Sequence, residues 1–283
     1  MRTLLLPVPL VVGLLRIAPA GADEADALYR KGLQLMQQGQ LDEAQQALEA
    51  AIRERPEGYA AAELTLANVL RKKGQCDKAV PHYEAALRAQ PNEPFANGNL
   101  GVCYQRLGRT EDAIRALERA VAAAPNEVQW RYSLGALYRQ SKQIDKALPH
   151  LERAVQLQPN NPEALRNLAV GLRQAGQLDR AAELTKKALQ MRPQDSELHF
   201  NLGVIYRRQQ KTADAIAAYR EAVRLDDRNA EAYYDLGVML SQERRTQEAI
   251  DAFNRYIELV AARDPKSANE VRKQVKALGG TPR

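Results

Sequence analysis

The chain has 283 residues, 27% charged, 45% apolar and only 5% aromatic. That is the balance of a globular protein, not of a disordered one, and it disfavours a β-sheet core built on aromatic and β-branched side chains. Two cysteines and three histidines exclude a disulfide-stapled miniprotein and a cysteine-rich zinc module, and a net charge of +6 is too mild to demand nucleic acid.

In chain order, the first element is an address. Arg2 precedes an apolar stretch from Thr3 to Leu15, and Ala18-Pro19-Ala20 and Ala20-Gly21-Ala22 offer small-x-small cleavage sites. The stretch falls short of the roughly 20 residues that span a bilayer. Residues 1–22 therefore read as a secretory signal peptide, and the expected location is periplasmic or secreted. The first cysteine is Cys76, so this end carries no lipoprotein anchor, and there is no twin-arginine pair. Cleavage after Ala22 removes Arg2 and Arg16 and leaves +4.

A repeat follows. Prolines fall at 56, 91, 125, 159 and 193, and alanines at 44, 79, 113, 147, 181, 215 and 249 keep the same step, 35 residues for the first interval and 34 for the rest. Seven units cover 25–263, as 25–58, 60–93, 94–127, 128–161, 162–195, 196–229 and 230–263. The third unit makes the physics explicit. Ala96, Leu100, Cys103, Tyr104 and Leu107 share one helical face, and Gly108 supplies the turn. Thr110 reads as the cap of a second helix whose stripe is Ala113, Leu117, Ala120 and Val121, and Pro125 stops it. Neither helix can bury its stripe alone, so the units must stack.

The step Leu100-Gly101-Val102-Cys103-Tyr104, its copy at Leu134-Gly135-Ala136-Leu137-Tyr138, the mid-unit alanine and the closing proline together resemble the tetratricopeptide repeat. The resemblance implies an all-α fold, a right-handed superhelical solenoid of tandem helix-turn-helix repeats. Departures exist. The tryptophan of the first helix is missing; Trp130 lies one place early, and Leu28, Leu165 and Tyr233 fill its place. Repeats six and seven have Asp227 and Ala261 for the closing proline, which predicts a looser C-terminal end.

Residues 264–283 read as a capping helix and tail. Ser267-Ala268-Asn269-Glu270 is a capping box, Ala268, Val271, Val275 and Leu278 form a narrow apolar stripe, and Gly279 ends the helix. Its outer Arg272, Lys273 and Lys276 allow at most a peripheral contact with a membrane or an acidic protein.

Catalytic and metal motifs are missing. There is no phosphate loop, HExxH, GxSxG or Cys-x-x-Cys. His82 and His150 occupy equivalent repeat places, and His199 stands alone, so neither catalysis nor a metal site is expected. Counting residues along antiparallel helices puts Cys76 and Cys103 beyond disulfide reach, which favours two small buried hydrophobes, while an oxidising compartment would permit a bond.

The family resemblance implies that ligands lie on the concave face, at places 2, 5, 6, 9, 12 and 13 of each repeat. Place 6 holds Asn99, Asn167 and Asn201, whose amides suit a peptide backbone. Place 12 holds Arg71, Arg139, Arg173 and Arg207, suited to carboxylates. Place 5 holds Tyr132, Phe200 and Tyr234, suited to apolar pockets. The expected function is a non-catalytic scaffold that binds an extended, acidic or carboxylate-terminated peptide of a partner protein, with no cofactor, small-molecule substrate or nucleic acid. The alternative is a structural subunit of a cell-envelope or secretion assembly, acting through its convex face and edges.

Overall fold

The computed structural model describes residues 20–55 and 57–283, and side chains from Glu24 onward. The expected signal peptide lies outside the described residues except for Ala20–Ala22, which open the first helix, and Pro56 lies outside them too. The described residues are helices and short turns, grouped into two compact units that meet in sequence at Ala123 and Ala124.

The first unit holds three helical hairpins. They are α1 (Ala20–Gln37) with α2 (Leu41–Arg53), α3 (Ala60–Lys72) with α4 (Cys76–Ala89), and α5 (Pro94–Arg106) with α6 (Thr110–Ala123). The second unit holds four more. They are α7 (Val128–Gln140) with α8 (Ile144–Leu157), α9 (Pro162–Gln174) with α10 (Leu178–Met191), α11 (Ser196–Arg208) with α12 (Thr212–Leu225), and α13 (Ala230–Gln242) with α14 (Thr246–Val260). A single helix, α15 (Pro265–Ala277), follows. Within each unit every helix packs on its neighbours in sequence, and the first helices of adjacent hairpins also touch, as α1 with α3 and α9 with α11.

Each hairpin closes by the same hydrogen-bond pattern. In the third, Arg109 N donates to Tyr104 O at 2.9 Å and Gly108 N to Gln105 O at 3.1 Å, the paired bonds that satisfy orphan carbonyls at a helix end. The residue between must adopt a left-handed backbone, and Gly108 does so with φ +72°. Lys142, Gln210 and Arg244 occupy the equivalent place with φ near +60°, which costs a side-chain-bearing residue about 1–2 kcal/mol.

The hairpin interior is set by a small-against-large contact. A Cβ on Gly135 would lie 2.7 Å from Leu151 Cγ and 3.3 Å from the Ala147 carbonyl oxygen. Only glycine lets α7 approach α8 so closely. In the sixth and seventh hairpins the facing side chains are Tyr219 and Phe253, both fully buried.

Helix starts differ from expectation in two places. Thr110 lies inside the first turn of α6 rather than capping it, and the other second helices of known cap geometry start without a side-chain cap, with acids in the first turn. Asp264, not Ser267, caps α15: its carboxylate accepts from Ser267 N at 3.1 Å, because Pro265 suits the first helical position. Leu107, assigned to the third unit's apolar face, is 41% exposed because the helix has already turned at that point.

The missing tryptophan has a substitute. Asn97 Nδ2 donates to Pro91 O at 2.9 Å, Arg131 Nε donates to Pro125 O, and the His199 ring bonds Pro193 O at 2.9 Å. Each is the fourth residue of its repeat, reaching back six residues to the closing proline of the repeat before.

The C-terminal end carries a packed cap. Ala268, Val271 and Val275 of α15 join one buried cluster with Ile250, Phe253, Ile257 and Val260. Beyond Gly279 the tail folds back, with Arg283 N donating to Asn254 Oδ1 at 3.0 Å and Asn254 Nδ2 to Thr281 O at 3.2 Å.

Candidate functional site

The ten residues singled out above divide between the units. Arg71 and Asn99 belong to the first; Tyr132, Arg139, Asn167, Arg173, Phe200, Asn201, Arg207 and Tyr234 belong to the second.

In the first unit Asn99 Nδ2 donates to Asn68 Oδ1 at 2.9 Å, and the same oxygen accepts from the Tyr83 hydroxyl at 2.7 Å. Three helices, α3, α4 and α5, are thereby tied through Asn68. Burial raises the Tyr83 hydroxyl's pKa, opposed by the nearby Arg71 guanidinium. Arg71 Nε is buried and has no hydrogen-bond partner.

In the second unit the amides are engaged with their own scaffold. Asn167 Nδ2 donates to Glu163 O at 2.8 Å and to the Tyr132 hydroxyl at 3.2 Å; Asn201 Nδ2 donates to Glu197 O at 2.9 Å. Both side chains are buried. These are bonds to the carbonyl one turn back, the local pattern that short polar side chains adopt inside helices. Phe200 lies half-buried with its ring 5.9 Å from that of Tyr219, and Tyr234 lies 6.0 Å from Phe253 and 5.4 Å from Tyr256. Both aromatics thus carry one face on the core.

The arginines fall into two kinds. Arg207 pairs with Asp235 at 2.9 Å, and Asp235 also accepts from the Tyr219 hydroxyl at 3.1 Å. Burial holds the Asp235 carboxyl above the usual carboxylate range, although Arg207 and Tyr219 both favour the anion. Arg139 and Arg173 are different: each is half-buried, and each Nε is buried without a hydrogen-bond partner. Burial pushes both guanidinium groups below the ordinary arginine value, and for Arg173 the like charges of Arg208, Arg139 and Arg207 add to it. The pair is a concentration of positive charge that nearby residues do not neutralise, an arrangement that favours an incoming anion.

Two sets of ion pairs occupy this face. Arg207 meets Asp235 because place 12 of one repeat faces place 6 of the next, 28 residues on. Arg166, at place 5, bridges Glu163 at 2.8 Å and also pairs with Glu197. A search for opposite charges at that 28-residue offset would have found the first.

Cys76 and Cys103 are both buried and free, as expected. Burial, with Cys76 adding to it, pushes the Cys103 thiol above its ordinary value.

Among the described residues no group of three or more His, Cys, Asp or Glu is placed to hold a metal ion, and no helix is long and apolar enough to cross a membrane.

Comparison with known proteins follows the same lines. The family described as the C-terminal domain of cilia and flagella-associated protein 70 matches residues 10–235, and a tetratricopeptide-repeat family matches 230–260. A tetratricopeptide repeat protein from Parabacteroides merdae is similar at 20% identity, with a TM-score of 0.62 over 89% of this chain and 98% of its own. YrrB, described as having an unusual peptide-binding site, is 26% identical with a TM-score of 0.61 over 66% of this chain and 95% of its own. MamA from Desulfovibrio magneticus RS-1 is 22% identical with a TM-score of 0.56 over 60% and 96%. No curated protein sequence matches significantly.

Proposed function

The chain belongs to the tetratricopeptide-repeat family, and from that premise we propose that it is a non-catalytic interaction scaffold that holds an extended acidic segment of a partner protein on the first-helix face of its second unit. The carrying observation is the half-buried, uncompensated pair Arg139 and Arg173. A partner carboxylate there removes the repulsion and supplies the missing acceptors. Tyr132, Phe200 and Tyr234 each offer a partly exposed face for an apolar side chain, while Arg207, held by Asp235, contributes less charge than its neighbours. Asn167 serves this face by fixing the Tyr132 hydroxyl. Asn201 completes the proposed set on this unit, and in the first unit Arg71 and Asn99 occupy the equivalent repeat places. The peptide-binding site attributed to YrrB, on a similar fold, supports the reading.

The test is a titration of the full chain with a labelled peptide rich in Asp and Glu. Changing Arg139 and Arg173 together to Gln should weaken binding tenfold or more, and rising salt should weaken the unaltered protein in parallel. Binding that ignores both the substitution and the salt would overturn the reading, and a partner retained by the variant would favour the structural-subunit alternative. We also propose that the chain is exported. Mature protein should then begin at Gly21 or Asp23, and an intact Met1 in the envelope fraction would contradict it.

A further inference from the structure

The first unit contains a cavity that peptide binding does not use. It measures about 330 Å³ and lies among α4, α5 and α6. Because α5 runs opposite to the other two helices, Glu84, Tyr104 and Asp112 share one end of it, and Arg88, Asn97 and Arg119 share the other. Leu87 and Leu100 give the apolar wall between the two ends.

The first end is closed by its own pairs. The Tyr104 hydroxyl donates to Glu84 Oε1, and Asp112 pairs with Arg109 at 2.6 Å and with Arg115. The second end is open. Among the described residues neither Arg88 nor Arg119 has an ion-pair partner. Asn97 is 0% exposed, and its Nδ2 is spent on the carbonyls of Pro91 and Glu93, both at 2.9 Å. Its Oδ1 is buried with no hydrogen-bond partner. A buried acceptor left unmet is costly, so this oxygen calls for a donor that the chain does not supply. The joint to the preceding proline does not require that oxygen, since Arg131 makes the equivalent bond to Pro125 and carries no acceptor.

We infer that this cavity binds a free α-amino acid with an aliphatic side chain. The ligand's carboxylate lies between the Arg88 and Arg119 guanidinium groups, each able to hold it by two parallel hydrogen bonds. Its ammonium group, next to that carboxylate, donates to Asn97 Oδ1. Its side chain covers Leu87 and Leu100, and the volume is at the lower end of the range that holds small molecules. An acidic side chain fits less well, because Asp112 already occupies Arg109 and Arg115 at the far end. The inference does not rest on the peptide-binding reading, because no residue of that proposed set lines this cavity.

The test is a calorimetric titration of the full chain with L-leucine as the probe, at millimolar concentration. Saturable binding is expected. Isocaproate, which lacks the ammonium group, and leucinamide, which lacks the carboxylate, should each bind about tenfold more weakly. Arg88 and Arg119 are exposed, so changing both to Gln leaves the fold intact and should weaken leucine binding by about tenfold or more. Changing Arg139 and Arg173 to Gln should leave leucine binding unchanged, which separates this site from the peptide face. Nitrogen-15 NMR should show the Asn97 side-chain amide shifting as leucine is added. Absence of saturable binding by leucine, valine and methionine alike would overturn the inference, with water then the partner of Asn97. Equal binding of leucinamide, or leucine binding that survives the Arg88 and Arg119 substitutions, would overturn it too.

Discussion

The two units are built from one repeat, yet they rely on different interactions. In the first unit all three hairpin turns place glycine at the left-handed position, Gly39, Gly74 and Gly108. In the second, only Gly176 does so, while Lys142, Gln210 and Arg244 carry side chains into the same conformation. The sixth and seventh hairpins, which hold Gln210 and Arg244, also pack Tyr219 and Phe253 against Gly203 and Gly237, and α15 seals the last hairpin. The second unit also carries the half-buried arginines that no neighbour neutralises. The lesson is that strained turns at Gln210 and Arg244 coincide with hairpins whose glycines meet large aromatic rings.

The contrast can be broken most directly at the aromatic core. Phe253→Ala should cost about 3–5 kcal/mol in urea denaturation followed by helical circular dichroism. A loss under 1 kcal/mol would mean that the last hairpin does not depend on that ring. Close packing should come next. Gly135→Ala should cost about 1–3 kcal/mol, because its new methyl meets both Leu151 and the Ala147 carbonyl. Gly171→Ala should be neutral or mildly stabilising, since the nearest atom is a movable Leu151 methyl at 3.1 Å. Equal losses at both positions would refute the close-approach argument.

The turns should give smaller effects of opposite sign. Lys142→Gly, Gln210→Gly and Arg244→Gly should each raise stability by about 1 kcal/mol, while Gly108→Ala should lower it by a similar amount. Thermal melts of the four variants make the comparison, and it fails if the three glycine variants melt below the parent.

The smallest effect concerns pH. Asp235 has a raised folded pKa, with burial as the main cause. Its contribution to stability is therefore complete below the ordinary value of 3.8 and is lost as pH rises through the higher folded value. Carbon-detected titration should place the Asp235 midpoint above 3.8, and Asp235→Asn should remove that fall in stability. A midpoint at or below 3.8 would show that Arg207 and Tyr219 outweigh burial.

The sequence made the repeat legible because its 34-residue period recurs seven times, so single departures such as Asp227 or Ala261 did not obscure it. Helix starts were less legible. Asp264 and Ser267 are both good caps, and the choice rests on Pro265 suiting the first helical turn. The candidate face was half legible: the arginines at place 12 stood out, but not which of them is already paired. That depends on contacts between repeats, where Arg207 finds Asp235 and Arg139 finds no carboxylate.

The carbonyls of Pro91, Pro125 and Pro193 are each held by a side chain six residues later, from Asn97, Arg131 and His199. Each of these three joints thereby has a contact contained within seven consecutive residues. For a chain that grows by duplication, the natural cut is then just ahead of the proline. A copy that starts there brings its own joint with it, whereas a copy cut between proline and helix leaves the joint's two halves on different modules.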